Sequence, residues 1–361
     1  MLRLLRTWKL PVAMLLGVII YFVLQPVMDA DEETVFYDIL SHVVQPMLIF
    51  MMLFLSFLKV RPKDLKPHRW HGVLLLVQGG LFIMCSLMAI ACDYVSLPTG
   101  EGWGGAKLLL ECAMLCFICP TATASAVIVQ KLGGSLSGDV TYIILCNLMV
   151  SILAPTFLPL VEPTVLISLP PGEGWGGAAG TAWSMAFLLI IGKVFPLLLC
   201  PLFVAMIVRF YLPKVKEKML AIPDLAFYMW LVALAFAITV TVRTIVESSI
   251  SVSILAGFAV ISALCCVLQF WLGRFIGRTF PQPTKSVSEL NKDASDYVDP
   301  IERSAITAGQ AFGQKNTVFV IWMGLVFLNP VTSVVGGFYS IWHNIVNSWP
   351  LYTRSARKLR S

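Results

Sequence analysis

The sequence predicts an all-α protein that crosses a membrane many times, and its composition and the grouping of its apolar residues carry this prediction. Hydrophobic residues make up 58% of the 361 residues, and charged residues only 13%. The apolar residues form long runs, and an α-helix needs a run of about 20 to cross the hydrocarbon core of a bilayer. No polar stretch is long enough for a soluble kinase, nuclease or nucleotide-binding domain. We therefore expect neither an enzyme nor a nucleic-acid partner, and no cofactor.

Ten apolar runs reach spanning length, with short polar or Gly/Pro-rich turns between them. They lie at about 11–28, 36–58, 72–92, 105–129, 138–161, 183–209, 222–243, 249–273, 302–327 and 329–349. The polar stretch at 277–302 is longer, and we expect a cytosolic linker there. The heptapeptide GEGWGGA occurs at 100–106 and 172–178, in two predicted outer loops. We interpret it as a Gly-rich turn held at the interface by Trp, with an outer substrate vestibule as the alternative.

The distribution of loop charges supports ten spans with both termini in the cytoplasm. If the loops alternate from an inner N-terminus, all but four of the 26 Lys and Arg residues lie on the inner side. The four exceptions are Lys107, Lys193, Arg243 and Lys315. The predicted outer loops carry Asp and Glu instead, which is the bias that the positive-inside rule describes. We expect an integral protein of the cytoplasmic (inner or plasma) membrane.

Two of the predicted spans are interrupted by helix-breaking and polar residues. The fourth contains CPTATAS at 119–125, and the ninth contains GQAFGQKNT at 309–317. Pro120 lacks a backbone donor and clashes with the preceding turn. In a bilayer, broken backbone is tolerated only where it is buried in protein or lines a wet cavity. The two spans hold corresponding places in two five-helix halves of opposite direction, which is the pattern of a transporter with an inverted repeat.

Each break predicts an anion site at the start of its second half-helix. Free N–H groups and the helix dipole at about Thr123–Ser125 and Asn316–Thr317 favour negative charge. A pair of kinks without a ligand is the alternative, because Pro and Gly are common in membrane helices.

The motifs at these places resemble those of the bile acid:sodium symporter family, and the resemblance covers nearly the whole chain in order and topology. The matching residues are Cys119, Pro120, Thr123, Ala124 and Ser125 in span four, Gly313–Thr317 in span nine, Trp342, His343 and Asn344 in span ten, and Gln78 in span three.

The resemblance implies a fold, a transport function and a set of site residues. The expected fold has ten helices in a 5+5 inverted repeat, with the broken fourth and ninth crossing in a core. Helices one, two, six and seven (1–69 and 163–245) would form a panel, and the others (70–162 and 246–361) the core. Organic anions would bind between panel and core, and two sodium ions behind the crossing. The substrate-binding candidates are Thr123, Ser125, Lys315, Asn316, Thr317 and Asn344.

The sequence departs from the family pattern where sodium should bind. Ala311 stands in place of a Glu, Lys315 in place of a Gln, and Ala126 in place of an Asn. An ammonium about 4 Å from a sodium ion would repel it by several kcal/mol in a low dielectric. The residues of the ion site or of its replacement are Gln78, Ser125, Asn147, Gln314 and Lys315.

Lys315 therefore has two interpretations. In the first, its ammonium replaces sodium and ties the broken helices together, with Gln78 and Ser125 as acceptors. In the second, it extends into a cytosolic cavity and attracts anions. A buried Lys can also lose its proton, which would permit proton coupling.

Other polar residues in the apolar runs are candidates by default. We expect Glu111 to be the only acidic residue well inside a span, either functional or paired with Lys107. Lys193 is predicted to be a second buried cation. His343 is expected to be a capping or interfacial residue near the inner end of span ten, with proton handling as the alternative. His68 and His71 are expected to lie at the interface beside Trp70.

These patterns favour a secondary transporter of small organic anions, namely carboxylates that could extend to bile-acid-like molecules. Its alternating access would be uncoupled from sodium in the family's usual way, with a proton or no ion as the coupling partner. The alternatives are a sodium-coupled symporter with shifted ligands and a receptor or regulator that binds without transport. An intramembrane enzyme ranks last, because the spans lack paired carboxylates or a His/Cys cluster.

Overall fold

The computed structural model of the chain describes residues 9–94, 103–162, 179–222, 225–248, 250–282 and 298–358. Within these ranges the protein is all-helical, apart from short connections and one isolated β-bridge. Most of the predicted 277–302 linker lies outside the described residues. So do the whole second copy of the heptapeptide and residues 100–102 of the first.

Helices occupy every predicted apolar run. Those of the first part are α1 (Lys9–Leu24), α2 (Ala30–Ile39), α3 (Gln45–Lys59), α4 (Arg69–Tyr94), α5 (Trp103–Ile118), α6 (Ala124–Lys131) and α7 (Leu136–Val161). Those of the second part are α8 (Ala179–Tyr211), α9 (Pro213–Ala221), α10 (Leu225–Glu247), α11 (Val252–Thr279), α12 (Pro300–Gly313), α13 (Thr317–Phe327) and α14 (Val334–Lys358). One π-helical turn, Leu40–Val44, joins α2 to α3, and a short 3₁₀ turn, Pro330–Ser333, precedes α14.

Local capping explains where several helices begin. The side chain of Asp29 accepts the N–H of Glu32 at 2.8 Å at the start of α2. Ser135 does the same for Gly138 at 3.2 Å at the start of α7. Such a side chain satisfies one of the backbone donors that a helix leaves free in its first turn.

Length and apolarity make this a helical membrane protein. Six stretches of the described chain are long and apolar enough to span a bilayer, and Val12–Leu24 and Thr317–Phe327 are shorter apolar helices. The six are Ala30–Lys59, Arg69–Cys92, Leu136–Val161, Trp183–Tyr211, Tyr228–Glu247 and Val252–Thr279. Large apolar side chains such as Leu76, Leu264 and Trp271 are more than half exposed, which suits contact with lipid. That all ten runs cross the membrane stays a prediction.

The helices can be divided into two groups, which are in extensive contact because α7 of the second group packs against α8 of the first. In one group, α10 packs against both α1 and α3, and α3 also packs against α8. In the other, α4 to α7 pack with α11 to α14. The most extensive contact in the second group is between α11 and α12, and Gly273 and Gly277 lie one turn apart on α11 within it. A methyl group would meet Ala308 O at 2.6 Å if added at Gly273, and Ser304 O at 2.5 Å if added at Gly277. Small residues at this spacing let two membrane helices approach closely, and here they fix the position of the broken span.

Candidate functional site

The two interrupted segments cross and pair through their backbones. Thr121 and Lys315 form an antiparallel bridge. On either side of the bridge, Ala122 N donates to Gln314 O at 2.8 Å and Asn316 N donates to Pro120 O at 2.9 Å. The interruptions are therefore present as predicted, at 119–123 and, over a narrower stretch than expected, at 314–316. Backbone groups that leave the helical ladder must find other partners in a bilayer, and here each break supplies partners for the other.

Side chains reinforce the crossing. Thr121 Oγ1 donates to Ala311 O on α12 at 2.5 Å. Cys119 Sγ donates to Asn316 O at 3.1 Å. Gln78 on α4 donates from Nε2 to Cys119 O at 3.2 Å, so a third helix holds the first break in place.

The two half-helix starts differ in how their N–H groups are satisfied. At the start of α13, the side chain of Asn316 accepts the N–H of Phe319 at 3.3 Å, so the helix caps itself. At the start of α6, Thr123 makes no side-chain cap. The start of α6 therefore lacks the side-chain cap that α13 has, although its Ser125 N–H donates to Ala122 O at 3.0 Å.

A cavity of about 220 Å³ opens beside the start of α6, between the two helix groups. Its walls come from α3, α6, α7 and α10. The lining residues are Ser56, Lys59, Thr123, Ala124, Ala126, Val127, Gln130, Leu136, Val140, Ala226 and Trp230. Of the predicted binding residues, Thr123 lines this cavity. Lys59 was not predicted as a binding residue, because its charge was interpreted only as a marker of the inner side.

The side chain of Lys315 corrects both interpretations given to it. Its ammonium is buried, with the residue 1% exposed, so it does not extend into a cytosolic cavity. It has no hydrogen-bond partner within the described residues and lies 4.9 Å from the centroid of the Phe312 ring. The backbone of Lys315, and not its ammonium, ties the broken helices together.

The two acceptors proposed for that ammonium are engaged elsewhere. Gln78 Oε1 accepts the hydroxyl of Tyr142 at 2.7 Å. Ser125 donates its hydroxyl to Asp139 Oδ1, also at 2.7 Å. Ser125 therefore points towards α7, and it is fully buried.

Asp139 is the functional candidate that sequence reasoning missed. It is 0% exposed, and its Oδ2 has no hydrogen-bond partner within the described residues. Asp139 lies at the start of its span and not well inside it, so it does not contradict the expectation for Glu111, but its burial was not predicted. Asp139 lies in the first turn of α7, where an acidic residue is common for helix-dipole reasons. Because this explanation accounts for an acidic residue at that position, nothing in the sequence indicates that the Asp139 carboxyl is buried.

A second polar cluster lies between α12 and α14. Asn347 donates to Gln314 Oε1 at 2.6 Å, and Asn347 Oδ1 accepts from Gln310 Nε2 at 2.8 Å. One turn before Asn347, His343 is fully buried, and neither ring nitrogen has a hydrogen-bond partner in the described part of the chain. The expectation of a His at the inner helix end was wrong. Gln314 thus belongs to this cluster as well as to the crossing.

The remaining predicted site residues lie away from the cavity. Thr317 Oγ1 accepts the hydroxyl of Ser340 at 2.6 Å, and Asn344 donates to Ser340 O at 2.7 Å within its own helix. Asn147 donates to Leu198 O on α8 at 3.2 Å, so it packs against α8 and does not reach the crossing.

The other charged and aromatic candidates are also clarified. Lys193 is exposed rather than buried, with its ammonium 5.9 Å from the Phe327 ring centroid. Glu111 lies 4.0 Å from Lys107, as the ion-pair alternative predicted. His71 is buried beside the buried Trp70, so an interfacial role for this pair was wrong.

No family model and no curated protein matches the chain. The fold and the site define a helical membrane protein whose two broken helices pair beside a cavity.

Proposed function

We propose that this protein is a secondary transporter of small organic anions that works by alternating access without the sodium coupling usual in the bile acid:sodium symporter family. The chain would cross the cytoplasmic membrane ten times as a 5+5 inverted repeat, with both termini in the cytoplasm. The observation that carries the proposal is the uncapped start of α6, which lies beside a cavity between the two helix groups.

The cavity chemistry favours a carboxylate. The Thr123 hydroxyl and the first-turn N–H groups of α6 other than that of Ser125 offer hydrogen-bond donors, and Lys59 supplies a positive charge on the opposite wall. The volume of about 220 Å³ suits a small carboxylate. A drug-sized ligand usually occupies about 300–1,000 Å³, so a bile acid would require the cavity to widen.

The position of the cavity supports alternating access. One wall comes from α3 and α10 of the first helix group, and the other from α6 and α7 of the second. In this proposal the first group would be the panel (1–69 and 163–245) and the second the core (70–162 and 246–361). A rocking motion of one group against the other around this cavity would open it to each side in turn.

Two residues argue against sodium at the family's position. Ala311 offers no carboxylate, and Lys315, four positions further on, places a buried amino group near the crossing. In its protonated form this group would strongly repel a cation bound next to it in a low dielectric. The side chains of Gln78 and Ser125, two of the ion-site candidates, are hydrogen-bonded to Tyr142 and Asp139, respectively.

The test is uptake of labelled pyruvate and taurocholate into proteoliposomes by wild type, Lys59→Gln and Thr123→Val. We expect wild type to accumulate pyruvate, and each variant to lose at least about fivefold in uptake, since a charge-assisted hydrogen bond is worth roughly 1.5–3 kcal/mol. Lys214→Gln is the matched control, because Lys214 is an exposed inner-side lysine on α9 that does not line the cavity. Saturable binding without uptake would contradict transport and favour a receptor. Equal losses of uptake in Lys59→Gln, Thr123→Val and the control Lys214→Gln would show that the cavity is not the binding site.

A further inference from the structure

We propose that the Asp139 carboxyl is a proton-binding site and that its hydrogen bond to Ser125 couples the bound proton to movement of the half-helix α6. The inference rests on the proposed transport function, because it names the ion that would travel with the anion. It concerns a residue outside the substrate-binding and ion-site sets considered so far.

The surroundings of Asp139 favour the neutral acid. The carboxyl is completely buried, and within the described residues its one hydrogen bond is the 2.7 Å contact from Ser125 Oγ to Oδ1. Its Oδ2 has no partner there. A carboxylate removed from water needs a cation or several donors to remain charged, whereas a protonated carboxyl does not.

No neighbouring cation supplies the missing charge. The charged groups and the histidine with described side chains on the helices packed around α7, with those of the crossing, are Arg69 and His71 on α4, Lys107 and Glu111 on α5, Lys131 on α6, Lys193 and Arg209 on α8, Glu302 and Arg303 on α12, and Lys315. Arg69 and Lys193 are exposed, Lys107 lies 3.7 Å from Glu162, and Glu302 pairs with Arg274 and Arg278. His71 Nε2 lies 2.9 Å from Gly138 O, and Arg209 donates to Leu58 O. Lys131 and Arg303 are exposed. Within the described residues, none of these groups forms an ion pair with Asp139.

Asp139 lies directly behind the wall of the anion cavity. Its helix neighbours Leu136 and Val140 line that cavity, and so do Ala124 and Ala126 on either side of Ser125. A shift of α6 would therefore carry Ser125 away from Asp139 and open a route from the carboxyl to cavity water. Proton exchange and anion exchange would then use the same opening.

The charge balance of this arrangement is simple. On the loading side, the Asp139 carboxylate takes one proton from water and becomes a neutral carboxyl as one monocarboxylate binds at the start of α6. On the other side both leave, and the carboxylate is regenerated. One proton and one monoanion cross together, so no net charge moves.

The first experiment detects the proton directly. Infrared difference spectra of the reconstituted protein, recorded across a pH titration, should contain the C=O band of a buried protonated carboxyl near neutral pH. The band should disappear in Asp139→Asn and persist in Glu111→Gln, which changes the other buried carboxyl by the same substitution. In Ser125→Ala, which keeps the carboxyl, the band should persist to higher pH because a donor to the charged form is lost. If no band depends on Asp139, the carboxyl is charged throughout and the inference is wrong.

The second experiment tests coupling and separates this inference from the transport proposal. An inwardly directed proton gradient should raise initial pyruvate uptake by wild type and Glu111→Gln at least about threefold. Asp139→Asn should exchange pyruvate but ignore the gradient. Transport that is gradient-independent in wild type, or that responds equally in Asp139→Asn, would overturn the coupling and leave anion transport standing. Absence of pyruvate and taurocholate transport under every gradient would overturn the proposed function, and this inference with it.

Discussion

Thr121 and Lys315, which are 194 positions apart in the sequence, face each other across an antiparallel backbone bridge at the point where two broken helices cross. The bridge satisfies backbone groups that neither helix can satisfy alone. It also brings the start of α6 to the wall of a cavity between the two helix groups. The proposed carrier function depends on that geometry.

The side-chain support of the crossing predicts a loss of stability in Thr121→Val. The substitution keeps the shape but removes the hydrogen bond from Thr121 Oγ1 to Ala311 O. We expect the free energy of unfolding in detergent to fall by about 1–2 kcal/mol, because a buried acceptor loses its donor. Thr156→Val is the control, since the Thr156 hydroxyl bonds only to Ile152 O in its own helix. If the two substitutions lowered the free energy of unfolding equally, the hydrogen bond between the two breaks would contribute no more to stability than one within a helix.

The close packing of α11 on α12 predicts that Gly277→Leu is strongly destabilising. A side chain there would meet the backbone of Ser304 and Ala305, which cannot move aside as a flexible side chain could. Overpacking of this kind costs about 1–3 kcal/mol or more, so the midpoint of thermal unfolding should fall and aggregation should rise. Gly80→Leu is the control, because no atom lies within 4 Å of a methyl group added at Gly80. A tolerated leucine at Gly277 would show that the two helices are farther apart than described.

The proposed replacement of the family's sodium-site residues at Ala311 and Lys315 predicts that sodium sensitivity can be introduced. The double substitution Ala311→Glu/Lys315→Gln adds a carboxylate and removes the ammonium. In a low dielectric the two changes together favour a bound cation by several kcal/mol. We expect a sodium gradient to stimulate pyruvate uptake at least about fivefold in this variant and not in wild type. Lys315→Gln alone is the control and should respond less. A folded, active double variant without a sodium response would place the family's sodium position elsewhere in this chain.

The helical membrane fold and the two breaks were predictable because they depend on local properties. Apolar run length determines a spanning helix, and Pro120 with its polar neighbours ends one wherever the chain folds. The start of α6 follows directly from that break, and the start of α13 from the capping side chain of Asn316.

The side-chain partners could not be predicted in the same way. Asp139, His343 and Lys315 are each consistent in sequence with a helix end or a polar surface. Their burial results from how helices distant in the chain pack around them. Ser125 shows the same limit: its position in the break was correct, but its partner comes from the next helix.

The most direct test of the central claim is the initial rate of pyruvate uptake into proteoliposomes containing the wild-type protein, with external sodium replaced by choline. The account predicts saturable uptake that is the same in both media and absent from empty liposomes. Uptake that requires sodium would contradict it, because a sodium ion would then bind despite the buried ammonium of Lys315 and the missing carboxylate at Ala311.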